Sequence, residues 1–150
     1  MEPTFRLAEH SDVDRLIVYM RQLYVHDGTP FDEPAARRAL DGVVRDRSLG
    51  RVWMIGDGRD TVGYVVLTLG YSLEYRGRDA FVDELFIEAG RRRQGLGSGA
   101  LRFVEAACRE LGVRALHLEM ERGNVAAQSL YRKHGFVDHD RYLMTRWIED

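Results

Sequence analysis

One cysteine in 150 residues leaves nothing from which to build a disulfide framework or a cysteine-held metal cluster. Lysine is as scarce: of 22 basic residues only Lys133 is not arginine, a compositional bias rather than a binding surface. Neither sign of charge dominates. The net charge of -2 gives no bulk drive toward nucleic acid or an anionic membrane, so neither is expected as a partner. No apolar run approaches the roughly 18 residues of a membrane span. The opening residues also lack a signal-peptide pattern, so the expected location is cytoplasmic. None of the five histidines pairs at i, i+4, and no carboxylates fall at ligand spacing, so no metal is expected. His117 and His134 read as packing or surface residues. There is no G-x-S-x-G nucleophile turn, and no Lys-Ser or Lys-Thr follows the glycines as a P-loop would need.

What is present is ordinary in bulk and specific in one place. Hydrophobic residues at 45% and charged residues at 31% suit a soluble globular protein. The length suits one domain, 1–150. Thr4 to Leu7 reads as a short strand. Ser11 or Asp12 caps a helix with apolar positions Val13, Leu16, Ile17, Met20 and Leu23. Asp32 caps a second helix, with Pro34 in its first turn and Ala36, Ala39, Leu40 and Val43 on one face. Arg51 to Ile55 and Thr61 to Leu69 flank Gly56-Asp57-Gly58 as a hairpin. A turn-rich stretch, Gly70 to Asp79, leads to a strand at Ala80 to Ile87. A helix follows, with Leu101, Val104, Cys108 and Leu111 on its buried stripe. A strand at Ala115 to Met120, a helix from Val125 to His134 and a closing strand from Tyr142 to Ile148 complete the order β-α-α-β-β-β-α-β-α-β.

The specific place is Arg92-Arg93-Gln94-Gly95-Leu96-Gly97-Ser98-Gly99-Ala100. Glycines let backbone approach a ligand closely, and the following helix start offers unpaired N–H groups and partial positive charge. That combination binds anions, phosphate above all. Gly95 to Ala100 formally fits G-x-G-x-x-G/A, but the dinucleotide fingerprint needs a glycine turn straight off a strand in a βαβ unit. Here seven residues separate Ile87 from Gly95, and the upstream strands form an antiparallel meander.

Ile87-x4-Arg92-x2-Gly95-x-Gly97 resembles the acetyl-CoA signature of the GNAT superfamily of N-acetyltransferases. A second element of that family is similar to Asn124 followed by Tyr131-Arg132-Lys133-His134-Gly135-Phe136. Ala89-Gly90 departs from the Pro-acid pair of many members. The resemblance implies an α/β (α+β) fold: a mixed, mostly antiparallel twisted sheet flanked by helices. It implies acetyl-CoA as cosubstrate, held by Arg92, Arg93, Gln94, Gly95, Leu96, Gly97 and Ser98 at the pyrophosphate. Leu85, Phe86 and Ile87 would bond pantetheine through their backbone, one N–H polarising the thioester carbonyl. Asn124, Ala126, Tyr131 and Lys133 would complete the cofactor site. Arg91 or Arg93 either reaches another phosphate or is a solvated surface residue.

The resemblance also makes Tyr131 the general acid for the departing thiolate, and a phenol can be protonated at neutral pH for that task. The acceptor is expected to be a primary amine of a small molecule or peptide. Its ammonium must lose a proton, costing roughly 4–5 kcal/mol at pH 7. The resemblance makes Asp83 and Glu84 the catalytic carboxylates that would help remove it, directly or through water, with a structural ion pair as the alternative for either. Adjacent strand residues point to opposite faces unless a bulge intervenes, so one should face the acceptor. Tyr24, Phe31, Tyr71 and Glu74, with Tyr75, either form an aromatic and acidic wall for a cationic amine or a polar-rimmed loop. A homodimer is compatible with the family, and a non-catalytic acyl-CoA-binding module is the alternative function.

Overall fold

The computed structural model describes residues 2–148, which fall into two compact units, Met1–Glu119 and Met120–Asp150. In the first, β1 (Thr4–Leu7), α1 (Val13–Asp27), α2 (Glu33–Arg45), β2 (Gly50–Gly56), β3 (Thr61–Ser72), β4 (Gly77–Ile87), α3 (Leu96–Glu110) and β5 (Ala115–His117) follow in order. The sheet runs β1-β2-β3-β4-β5, antiparallel through β4 and parallel between β4 and β5.

Alternation along the strands sorts the core into two layers. Val52, Met54, Tyr64, Val66 and Phe86 pack with Val13, Leu16, Ile17, Tyr19 and Met20 of α1 and Leu40 of α2. Trp53, Ile55, Val65 and Leu67 alternate onto the other face, where α3 buries Leu96, Ala100, Leu101, Val104 and Cys108. There Phe103 stacks on Phe5 at 4.1 Å and meets Trp53 edge-on at 5.1 Å. Cys108 is therefore core, as its place on the apolar stripe predicts.

The caps follow local chemistry. Asp32 Oδ1 accepts from Ala35 N and starts α2 behind Pro34, as expected. At α1 the cap chemistry differs from expectation. Asp12 spends its carboxylate on the Arg6 guanidinium and the Glu9 N–H, joining a 3-10 turn, His10–Asp12, to the strand before it.

Two strands depart from the sequence reading. The β3–β4 hairpin is longer, because both strands run through most of the stretch read as turn-rich, leaving Leu73–Arg76 as its tip. The closing strand, Tyr142 to Ile148, does not form: these residues carry no strand pairing. Tyr142, Leu143, Met144, Trp147 and Ile148 are 73–90% exposed. Their composition suits a strand, but a strand exists only against a neighbour's hydrogen-bonding edge. Within its unit, Met120–Asp150, the segment accompanies α4 (Val125–Lys133) and no strand. No helix of the described residues is long and apolar enough to cross a membrane.

Candidate active site

β4 carries the site, and its pairing explains why. It pairs with β3 from Gly77 to Ile87 but with β5 only at Asp79↔Ala115, Ala80↔Leu116 and Phe81↔His117. Beyond His117 the two parallel strands part, and the β5 strand expected to reach Met120 ends there. From Val82 to Ile87 one edge of β4 has no strand partner among the described residues, opening a wedge in the sheet. Leu85, Phe86 and Ile87 lie along that edge.

A bulge in β4 settles the acid pair. Val66 opposes Glu84 and Leu67 opposes Val82, so Asp83 is an extra residue. The two acids therefore do not alternate as regular pleating demands; both face the α1/α2 side. Burial pushes the Glu84 carboxyl above its usual range, against two phenol bonds that pull it down. Those phenols belong to Tyr64, donating at 2.8 Å, and Tyr24 of α1. Burial, reinforced by this carboxylate, raises both tyrosine hydroxyls, so they stay protonated donors. Asp83 is raised by desolvation, is more exposed, and accepts no hydrogen bond among the described residues. The paired acid is Glu84, and its partners are tyrosines rather than an arginine.

Tyr24 continues the wall. Its ring meets Phe31 edge-on at 5.3 Å, and the Arg21 guanidinium lies 4.9 Å over Phe31. Tyr71 does not join them. It lies in β3 opposite Arg78, alternates onto the other face and is 78% exposed. Glu74 sits at the hairpin tip, away from the bulge along the strands.

At the far end of β4 the chain turns into α3. Arg92 folds back: its Nε donates to the Ile87 carbonyl at 2.9 Å and its guanidinium caps Phe86 at 5.7 Å. Arg93 (φ 64°) and Gly95 (φ 79°) are left-handed, so the backbone of residues 93–95 curls before Leu96 begins the helix. The first-turn N–H groups of α3 have no helical acceptor and face this curl. Arg91 pairs with Asp57, a buried carboxylate in the β2–β3 turn. Asp57 accepts from Asp60 N and Arg59 N, and these bonds, with Arg91, hold it low, at about 2. Arg91 thereby ties the turn before the glycines to the hairpin.

The second unit holds Asn124, Ala126, Tyr131 and Lys133. Asn124 Oδ1 accepts from Ala127 N at 3.1 Å and caps α4 as expected. The helix closes with Gly135 left-handed at φ 88° and Phe136 N bonded to the Tyr131 carbonyl at 3.1 Å. Phe136 meets the half-buried Tyr131 ring edge-on at 5.9 Å. Ala126 and Lys133 are exposed.

The sequence reading passed over one cluster. His117 Nε2 lies 3.1 Å from Asp79 Oδ2, with side chains 16% and 13% exposed. Tyr75 meets the imidazole at 4.5 Å and Phe81 at 5.0 Å. Its available signal was a histidine opposite the start of an acid-bearing strand, but that pairing needs the parallel register to be known.

The family model described as the acetyltransferase (GNAT) family matches residues 17–136. A chloroplastic GCN5-related N-acetyltransferase 6 of Arabidopsis thaliana is 31% identical over 81 residues. That match takes in 47% of this chain but only 28% of the relative's length. Among solved structures, an integron cassette protein from the mobile metagenome of Cole Harbour Salt Marsh superposes with a TM-score of 0.84 at 37% identity. It covers 97% of this chain and 91% of its own. A predicted acetyltransferase of Clostridium acetobutylicum, solved with acetyl-CoA, superposes with a TM-score of 0.81 at 16% identity, covering 96% of both chains.

Proposed function

Because the chain belongs to the acetyltransferase (GNAT) family, we propose that it transfers the acetyl group of acetyl-CoA to a primary amine of a small molecule or peptide. The observation that carries this reading is β4, with an open edge leading to a left-handed anion loop and two carboxylates gathered on one face by a bulge. The residues fit the cosubstrate. A diphosphate suits the curl at residues 93–95 and the first turn of α3, where backbone donors converge. A pantetheine arm, with its amides, suits a strand edge that has lost its neighbour. The solved relative with acetyl-CoA has this same fold, which supports the assignment.

Acetyl-CoA supplies the activated acyl group; the remaining work belongs to the chain. A β4 N–H at the wedge donates to the thioester oxygen, where charge develops, and a fixed donor of this kind is worth about 3–4 kcal/mol. Asp83, whose carboxylate is not spent on another side chain, attracts and orients the ammonium. Glu84 makes the subsite anionic while Tyr24 and Tyr64 hold it in place. Tyr131 gives its phenolic proton to the departing thiolate. An acid pair facing an aromatic wall favours an amine-acetylating enzyme over a non-catalytic acyl-CoA-binding module.

The test is thiol release from acetyl-CoA across a panel of amines, wild type beside Tyr131→Phe. Turnover with at least one amine is expected, lowered on the order of 100-fold in the variant. Silence with every amine, or a Tyr131→Phe protein matching wild type, contradicts the proposal.

A further inference from the structure

The attacking amine must lose a proton, and the acid pair is a poor final home for it. Free carboxylates hold a proton ~2–3 pH units less tightly than imidazole. Burial narrows that gap at Asp83 and Glu84, but Glu84 is tied to two phenols and an imidazole starts nearer the pH at which a base works best. One imidazole stands on the same face. Asp79, Phe81 and the bulged Asp83 follow one another on the α1/α2 side of β4, and His117 packs on Phe81 from β5. His117 is the last residue of β5 before the two strands part, so it sits at the closed end of the wedge. A cosubstrate held by its diphosphate beyond Ile87 and laid along β4 directs its reactive end toward that point.

The ring is oriented for the task. Asp79 can only accept, so the neutral imidazole carries its hydrogen on Nε2, facing that carboxylate. This leaves Nδ1 as a lone-pair acceptor. It bonds to no described residue, and it is not sealed from solvent, since the described residues hold no buried unpartnered side-chain nitrogen or oxygen. Asp79 also stands ready to balance the charge of an imidazolium. Around the ring, Asp79 and Phe81 come from β4 and Tyr75 from the hairpin tip, and among the described residues Asp79 is the carboxylate hydrogen-bonded to it. A pairing of a half-buried histidine with an aspartate, its other nitrogen open, is more than packing requires.

We propose that His117, held through Nε2 by Asp79, accepts at Nδ1 the proton that the acceptor ammonium gives up before attacking the thioester. The amine N–H bond breaks and an Nδ1–H bond forms, directly or through one water. The nitrogen lone pair so freed makes the new C–N bond as the C–S bond breaks. The second proton lost from that nitrogen makes good the one taken up by the departing thiolate, and the imidazolium returns its proton to solvent after turnover. This step rests on the acyl-transfer reading above, with Asp83 orienting the ammonium rather than deprotonating it.

The experiment is the pH dependence of kcat/KM for acetyl transfer in wild type, His117→Gln and Asp79→Asn, with acetyl-CoA affinity measured alongside. In wild type the rate is expected to fall as acid protonates the base. His117→Gln should lose on the order of 100-fold near pH 7, lose that acid limb, and recover as rising pH deprotonates the amine in solution. Asp79→Asn should keep acetyl-CoA affinity and displace the limb, because the imidazolium loses its counter-charge. If both variants melt lower yet keep the wild-type profile, the pair is structural and the inference fails alone. If wild type itself releases no thiol with any amine, the transferase reading fails and takes this step with it.

Discussion

Asp83 and Glu84 are adjacent in sequence and alike in chemistry, yet the fold gives them different surroundings. One extra residue in β4 turns both to the same face, after which two tyrosine hydroxyls occupy Glu84 and leave Asp83 exposed. The acids were legible as a pair of polar residues inside an apolar strand, but the bulge was not. Register is a property of two strands, and Val66 and Leu67 carry no sign that a residue between their partners is skipped. Arg91 was equally undecided by sequence, because its partner, Asp57, is 34 residues away. Burial makes Glu84 costly when charged, and the sign of its pH dependence follows. The raised carboxyl is neutral and stabilised below the ordinary carboxylate range, about 4. That stability is lost as pH rises through the raised value. Glu84→Gln keeps a polar partner for both hydroxyls without the charge. Its melting temperature should therefore gain on wild type as pH rises from about 4 to neutral, matching or exceeding it at pH 7. A Gln variant that loses ground over that range would show that the tyrosines, not burial, govern the carboxylate.

At the scale of elements, β4 and the start of α3 act together: an unpaired edge hands over to a backbone curl and then to a helix start. Gly95 is where the curl needs its residue type. Its φ of 79° favours glycine, and a Cβ added there meets nothing within 4 Å, so strain rather than collision sets the cost. Gly95→Ala should cost about 1–2 kcal/mol, read as a fall in melting temperature of about 2–4 °C per kcal/mol for a chain of this size. Acetyl-CoA should bind about tenfold more weakly, as the relaxed backbone withdraws its donors; unchanged affinity would place the diphosphate elsewhere. The helices and the meander were readable because periodicity, caps and turn residues are local signals. The hairpin's extension beyond Leu69 and the early end of β5 were not, since both depend on how far a neighbouring strand remains alongside. The expected closing strand failed for the same reason. Tyr142 to Ile148 has strand chemistry, but pairing cannot be read from one segment.

Over the whole molecule, two local motifs carried the family assignment. The glycine turn and the Asn124–Tyr131 segment lie in different compact units, and the family model embraces both. The fold agrees with solved acetyltransferase structures at identities where only architecture is shared, so the residues on β4 carry the chemical argument and the likeness supplies the frame. The acceptor stays less legible than the cosubstrate. A diphosphate calls for backbone donors at a recognisable loop, whereas the proposed amine would be recognised by side chains gathered from α1 and β4, Tyr24 and Asp83 among them. On the proposed reading, acetyl-CoA lies along the open edge of β4 with its diphosphate at the start of α3. Backbone amide chemical shifts of the labelled full chain, followed through a titration with CoA, address it directly. Saturable shifts should gather at Leu85, Phe86 and Ile87 and at residues 93–98, leaving α2 and β1 unmoved. Shifts gathered elsewhere, or none that saturate, would contradict it.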